Sequence, residues 1–495
     1  MTENCDSYDS GFAPVPETLE AFIPLWCEKA LKKGGTIEQN VKVVRVDTKR
    51  ITNDDTGSVD GGGMTVAKLV RLCLEYDGEV TGKEPESIVA KVVMTGTLQF
   101  NFGLKTRLLV NAMYGKGFEE QMIRRDIKFY REAIPLVPET YCYPKVYYTG
   151  ITDGGDRGFY EAVIRNKPHR IRTVTLMEDM KGWKSQMVGT HLLTYDEAVA
   201  CLKNVAILHA NFWDERNKDI KAKFDKDFGL SEIEFRMAAT SKYVEKARQK
   251  FLSNTLSLKK KIKKVLDSWS ADPYFKMKKD SKIPEWFLDN DPVEEGDEFL
   301  ILKHPHVIEM LQAFAERYPE FDKSVGKAYL KRPFQTLLHG DFHNGNHMYK
   351  EEKGEVKVVA FDYQFAGLGM AISDLMYFFQ FALRHYNLSE EMDLLKVYHD
   401  SLVHSGVVDY TFDELKRDFV LSSLEGLVKK LMDAHKWTPE GQAKIDLGVY
   451  GEEKWADLQR IQKSGIYFNR WLRATSIYLQ DKDNFLVADS FMNNI

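Results

Sequence analysis

The sequence predicts an α+β fold, a β-rich front joined to a larger, mostly helical back near residue 180. Short valine- and threonine-rich runs separated by turn residues fill the front. Apolar positions at helical spacing dominate from Tyr195 onward. They are interrupted only between Thr336 and Phe365, where two apolar runs flank a polar loop.

Pro16 to Lys33 reads as an amphipathic helix, kinked or interrupted at Pro24 and ended by Gly34-Gly35. Strands follow at Val41–Val46 and Thr65–Tyr76, with a turn-rich connection that closes on Asp60-Gly61-Gly62-Gly63. Ser87 to Thr95 is a short buried strand with Lys91 inside it. Phe118 to Ala133 has helical spacing, with Met122, Ile127, Phe129 and Tyr130 at apolar positions. Strand-like runs return at Lys145–Thr149, Gly158–Val163 and Thr173–Met177. Helices are predicted over Tyr195–Trp213, Ser231–Trp269 and Val307–Tyr318.

The 495 residues, 43% hydrophobic and 29% charged, suit an ordinary globular chain of two to four domains. Lys and Arg total 69 against 74 Asp and Glu, which gives no electrostatic reason to expect a nucleic-acid partner. The five cysteines (Cys5, Cys27, Cys73, Cys142, Cys201) are odd in number and form no CxxC pair. They argue against a disulfide framework or structural zinc site and fit a reducing compartment. Met1 to Pro14 lacks the basic and apolar regions of a signal peptide, and the most apolar stretch, Asp374 to Leu383, is too short to span a bilayer. The expectation is a cytoplasmic protein without a membrane span or an obligate protein partner. The basic run Lys259–Lys264 and the acidic run Asp289–Glu298 read as solvated surface charge.

The chemistry concentrates in Leu337–Tyr349 (LLHGDFHNGNHMY) and Val358–Gln364 (VVAFDYQ). The skeleton is His339-x-Asp341-x-x-x-x-Asn346, with Asp362 on the far side of a hairpin. Phosphoryl transfer from ATP explains these residue types at this spacing, because positioning and charge neutralisation do most of that work. Asp341 would orient the attacking hydroxyl and accept its proton. Magnesium prefers hard oxygen donors and takes only one or two from protein, here Asn346 and Asp362. Apolar strands flank the loop, Gly340 and Gly345 permit a tight backbone, and Asp374 opens an apolar helix from which it can reach the loop backbone.

This pattern resembles the kinase-like small-molecule phosphotransferases, the superfamily of aminoglycoside phosphotransferases and choline kinases. His339-Gly340-Asp341-Phe342-His343 lacks the arginine that protein kinases place after the histidine. Asp362-Tyr363-Gln364, with Asp374-Leu375 following, is most similar to the ecdysteroid-kinase-like group. The resemblance implies a protein-kinase-like two-lobed fold, with an antiparallel N-lobe sheet carrying one main helix and a larger helical C-lobe. The implied boundaries are 1–177 for the ATP-binding lobe, 178–182 for the linker and 183–495 for the catalytic and substrate-binding lobe.

Ile88-Val89-Ala90-Lys91 resembles the strand that supplies the phosphate-binding lysine; the bland reading is a lysine snorkelling from an edge strand. Asp126-Ile127-Lys128-Phe129-Tyr130 matches the helix segment whose glutamate pairs with that lysine. Aspartate is one methylene shorter, so the pair needs a closer helix or another partner, Glu119 or Glu120. Gly61, Gly62 and Gly63 stand where the superfamily covers the phosphates, but also suit a plain hairpin turn. Met177, Glu178 and Met180 resemble the linker that binds adenine, against the plainer reading of a strand end with a surface acid pair. His209, in Leu208-His209-Ala210, reads as a packed structural histidine.

The resemblance thus implies an ATP- and Mg²⁺-dependent kinase acting on the hydroxyl of a small molecule, with Asp341, Lys91 and His339 as catalytic residues. The alternative is a pseudokinase that binds nucleotide or serves as a scaffold without turnover. A protein kinase is disfavoured, because no Asp-Phe-Gly or Ala-Pro-Glu element follows Asp362. Aromatic residues late in the chain (Trp269, Trp286, Phe287, Trp437, Trp455, Trp471) either fill a core or line a pocket, for a steroid-like alcohol or, as an aromatic cage, for a choline-like amine.

Overall fold

The computed structural model describes residues 15–16, 18–51, 67–78, 80–94, 118–152, 171–185, 193–228, 335–382, 388–419 and 422. The expected glycine turn at 61–63, the strand at 158–163, the helices at 231–269 and 307–318 and the late aromatic residues lie outside them. The described elements form an α+β protein with an antiparallel N-terminal sheet, divided into two compact units.

The first unit comprises Met1–Ser185, Met348–Lys350 and Val359–Phe365. Its sheet contains β1 (Lys42–Arg50), β2 (Ala67–Asp77), β3 (Ser87–Met94), β4 (Val146–Thr152) and β5 (Arg172–Glu178), all antiparallel, in the order β1-β2-β3-β5-β4. Strand β1 closes one edge, and its charged residues and a bulge between Val43 and Arg45 suit that position. Strand β3 is central and buried on both faces. Ile88, Ala90 and Val92 pack with Trp26, Cys27, Ala30 and Leu31 of α1 (Pro24–Lys33). The alternate residue Val93 packs against Ile123 of α2 (Phe118–Lys128). Strand periodicity therefore sends Lys91 to the α2 face.

The helix expected from Pro16 is split. Leu19–Ala21 is a single 3-10 turn, and Pro24 begins α1, where its fixed φ and missing N–H cost nothing. Gly35, at φ +67°, ends α1 with Thr36 N–H donating to Leu31 O and Gly35 N–H to Lys32 O. The helix expected over 118–133 widens into a π turn at Phe129–Ala133. That widening lets the adjacent rings of Phe129 and Tyr130 both turn inward, each buried.

The second unit comprises Gln186–His347, Glu351–Val358 and Ala366–Ile495. Helix α3 (Tyr195–Asn211) opens with a capping box between Thr194 and Glu197, and α4 (Lys218–Phe228) follows. Strands β7 (Gln335–Leu338) and β10 (Gly367–Met370) pair antiparallel, Leu338 opposite Gly367. Helices α5 (Ile372–Ala382) and α6 (Leu388–His404) come next, with α6 packed on α3. Strands β8 (His347–Glu352) and β9 (Glu355–Ala360) form a hairpin whose two-residue turn, Lys353-Gly354, has φ of +56° and +81°. The short β6 (Lys184–Ser185) pairs with β8 at Tyr349 and Met348, and these four residues all belong to the first unit.

Candidate active site

In the first unit, three segments meet at Lys91. Its ammonium donates to Asp126 Oδ2 at 2.9 Å and to Asp362 Oδ1 at 2.8 Å. Lys91 and Asp126 are buried at 8% and 5% exposure, which rules out a snorkelling edge lysine. Asp126 is the α2 carboxylate that reaches it, despite the shorter side chain. Asp126 Oδ1 also accepts the Tyr363 N–H at 2.9 Å, so both its oxygens are used. Tyr363 is fully buried, stacked on Phe129 at 3.9 Å and 9°, with its hydroxyl 2.8 Å from that of Tyr141. This box fixes the residue next to Asp362, which itself sits at φ +68°, a left-handed conformation that an aspartate tolerates but rarely adopts.

Burial alone would discharge Lys91, but Asp126 and Asp362 outweigh it and hold the ammonium above its ordinary value. Burial lifts the Asp126 carboxyl above the usual carboxylate range, Lys91 opposing that rise and Asp362 adding to it. One ammonium thus serves a buried carboxylate, Asp126, and a partly exposed one, Asp362.

In the second unit, the loop after β7 carries Asp341 and Asn346. Asn346 Nδ2 donates to the Asp341 backbone oxygen at 2.9 Å and to its Oδ2 at 3.1 Å. His343 Nε2 lies 3.5 Å from Asp341 Oδ1. Burial alone would raise the Asp341 pKa; His343 and His339, helped by the Asn346 amide, outweigh it and keep the carboxyl below its ordinary 3.8. Beneath the loop, Asp374 accepts the N–H of His339 at 2.7 Å and of Gly340 at 2.9 Å. His339 is fully buried, and its Nδ1 accepts the Asp341 N–H at 3.4 Å. His209 is buried as well, with Nε2 3.1 Å from Asp374 Oδ2 and Nδ1 2.7 Å from the Tyr398 hydroxyl.

In the second unit the amide nitrogen of Asn346 is committed to Asp341, and in the first Asp362 meets Lys91 through Oδ1. Each residue carries a hard oxygen of the kind that magnesium favours. Among the described residues no group of three or more His, Cys, Asp or Glu forms a protein-only cage.

Met177 is buried at the end of β5, Glu178 is exposed and pairs backbone to backbone with Lys145 (N···O 2.8 Å), and the half-buried Met180 accepts the Trp183 N–H. Sequence reasoning overlooked Asp179 beside them. Its carboxylate takes Arg71 Nε at 2.7 Å and the Ser87 hydroxyl at 2.8 Å, tying the chain after β5 to β2 and β3. Glu178-Asp179 therefore is not a surface acid pair, since the Asp179 side chain is only 3% exposed. An Arg and a Ser on neighbouring strands were the available signal, but only the strand register aligns them.

Among the described residues no helix is long and apolar enough to cross a membrane. No curated protein matches the chain. Solved structures similar to it include a spectinomycin phosphotransferase in complex with ADP and spectinomycin (11% identity over 86% of this chain and 93% of that one, TM-score 0.37). An amicoumacin kinase with AMP-PNP and Ca²⁺ matches at 10% identity over 89% and 92%, TM-score 0.33. An aminoglycoside phosphotransferase from Alicyclobacillus acidocaldarius matches at 8% over 90% and 94%, TM-score 0.34. Those likenesses are too remote to carry an assignment. The model of the ecdysteroid kinase-like family matches residues 87–406, well over half of the chain, from β3 to the end of α6. The chain belongs to the ecdysteroid kinase-like family.

Proposed function

We propose that the protein is an ATP- and Mg²⁺-dependent phosphotransferase that phosphorylates a hydroxyl of a small molecule. The observation that supports it best is the Lys91 ammonium, buried, charged and shared by Asp126 and Asp362. A fold has little reason to bury one amine between two carboxylates from distant segments for stability alone, since such arrays cost desolvation. Next to a triphosphate the same amine neutralises phosphate charge.

In this reading residues 1–177 bind ATP, 178–182 link the lobes and 183–495 carry the acceptor. Lys91 would hold the α- and β-phosphates, with Asp126 fixing its position. Asn346 Oδ1 and Asp362 Oδ2 would hold Mg²⁺, which when bound neutralises charge on the triphosphate. Asp341 orients the acceptor hydroxyl. As the acceptor oxygen bonds to the γ-phosphorus and the bond to the ADP oxygen breaks, the hydroxyl proton passes to Asp341. A carboxylate held below 3.8 is a weak base, so orientation outweighs proton abstraction, in keeping with a loose transition state. His339, buried behind Asp341, positions rather than reacts. The acceptor class we favour is a lipophilic, steroid-like alcohol, on the family's description and the aromatic-rich sequence from Trp269 to Trp471.

The test is Mg²⁺-dependent conversion of ATP to ADP with an alcohol panel that includes sterols, wild type against Asp341→Asn. The substitution should lower turnover about 10²- to 10⁴-fold with ATP affinity retained. ATP binding with no turnover dependent on Asp341 would overturn the reading and leave the pseudokinase alternative.

A further inference from the structure

We infer that His209 is a positioning residue for the loop that carries Asp341, acting through Asp374. Three donors converge on the Asp374 carboxylate: His339 N–H at 2.7 Å and His209 Nε2 at 3.1 Å on Oδ2, and Gly340 N–H at 2.9 Å on Oδ1. Gly340 immediately precedes Asp341 and sits at φ +80°, so the direction of the Asp341 side chain depends on where that amide is held.

His209 is itself fixed from three sides. Its Nδ1 lies 2.7 Å from the Tyr398 hydroxyl on α6, its Nε2 on Asp374 of α5, and its backbone oxygen accepts the Thr336 hydroxyl on β7 at 2.7 Å. A neutral imidazole with its proton on Nε2 satisfies both ring contacts, donating to the carboxylate and accepting from the tyrosine. His209, Asp374 and Tyr398 are each at most 2% exposed, so water offers no substitute donor. Thr336 begins the run that leads into the loop, and Asp374 grips that run at its far end. His209 touches both anchors. A packing histidine needs no such pair of polar contacts, and an apolar ring of the same size would fill the space.

The inference rests on the reading of Asp341 as the carboxylate facing the acceptor. Its test is chosen to stand apart from turnover. In the full-length protein, amide hydrogen exchange of the peptide 335–346 is compared among wild type, His209→Phe and His209→Gln, whose side-chain amide supplies a donor near the Nε2 position. His209→Phe should raise exchange at His339 and Gly340 about 10- to 100-fold while the β1–β5 sheet stays protected, and His209→Gln should restore most of that protection. Unchanged exchange in His209→Phe, or no recovery in His209→Gln, overturns the inference. Should His209→Phe fail to fold, Tyr398→Phe decides. Loss of the hydroxyl should loosen the same two amides several-fold, and equal protection there overturns it too. With an active wild type, His209→Phe should lower kcat about 10- to 100-fold and leave the KM for ATP within about twofold. A wild type without turnover counts against the phosphotransferase, and the exchange comparison still decides the role of His209.

Discussion

Replacing Asp126 with the glutamate that the wider superfamily carries should harm this protein, although the change keeps the charge and the class of side chain. Asp126 Oδ2 lies 2.9 Å from Lys91 Nζ, and Oδ1 lies 2.9 Å from the Tyr363 nitrogen. An extra methylene pushes the carboxylate about 1.5 Å farther along. At 5% exposure there is no solvent-filled space to take up the length. Either α2 retreats and Tyr363 leaves its stack on Phe129, or the carboxylate turns and gives up one partner. Overpacking of this kind costs about 1–3 kcal/mol, and a lost hydrogen bond to a charged group costs a similar amount without adding in full. Asp126→Glu should therefore lose about 1–3 kcal/mol in chemical denaturation. It should also lose about tenfold or more in ATP turnover, because Lys91 shifts on the ångström scale. Asp126→Asn is the control for length: with its oxygen kept on the Tyr363 N–H it turns an NH₂ toward Lys91, and so removes both the charge and the acceptor there without adding a methylene. A glutamate variant as stable and as active as wild type would refute the claim that aspartate is used here for its length.

Two further outcomes follow from single contacts. His347 is fully buried, and burial, reinforced by His339, holds its pKa well below the ordinary 6.5. The unfolded chain takes up a proton there that the native state refuses, so stability rises with pH and is lost on acidification below about 6.5, at up to about 1.4 kcal/mol per pH unit. His347→Phe should flatten denaturation profiles between about pH 6.5 and 5, and an unchanged slope would contradict this. Asp179→Ala strips partners from Arg71 and Ser87 at once. Because Arg71 retains some exposure, the expected loss is about 2 kcal/mol in denaturant titrations. A loss under about 0.5 kcal/mol would mean that the segment after β5 is held by other contacts.

How far the sequence could be read depended on how local each signal was. Lys91 was legible because a lysine inside an apolar strand demands a buried anion, and the structure supplies two. A break at Pro24 was legible, since proline permits few other positions, but the helix was expected to begin at Pro16 rather than there. Position marked Asp126 as the pairing carboxylate, while side-chain length argued against it. What resolves the conflict is the approach of the Tyr363 amide, a contact across 237 residues. The π turn at Phe129–Ala133 leaves no trace in a 3.6-residue pattern, because one widened turn shifts the phase without changing composition. His209 was recognised as buried but not as a hydrogen-bonding bridge, since its partners lie 165 and 189 residues away on separate helices.

The two groups of residues share a construction. In the first unit the buried carboxylate of Asp126 holds the backbone N–H of Tyr363, the residue after Asp362. In the second the buried carboxylate of Asp374 holds the N–H of Gly340, the residue before Asp341. Beside each anchored amide the backbone is left-handed, at Asp362 (φ +68°) and at Gly340 itself (φ +80°). A left-handed aspartate costs about 1 kcal/mol or more and persists only where its surroundings hold it. A charge-assisted bond from a buried carboxylate to the neighbouring amide is strong enough to do so. The anchoring aspartates thus commit both oxygens, whereas Asp362 keeps Oδ2 outside its Lys91 contact, and a carboxylate that bonds metal or substrate needs such an oxygen. On this logic the aspartates divide into those that set the backbone and those that meet ligands, and substitutions at Asp126 or Asp374 should alter geometry before they alter chemistry.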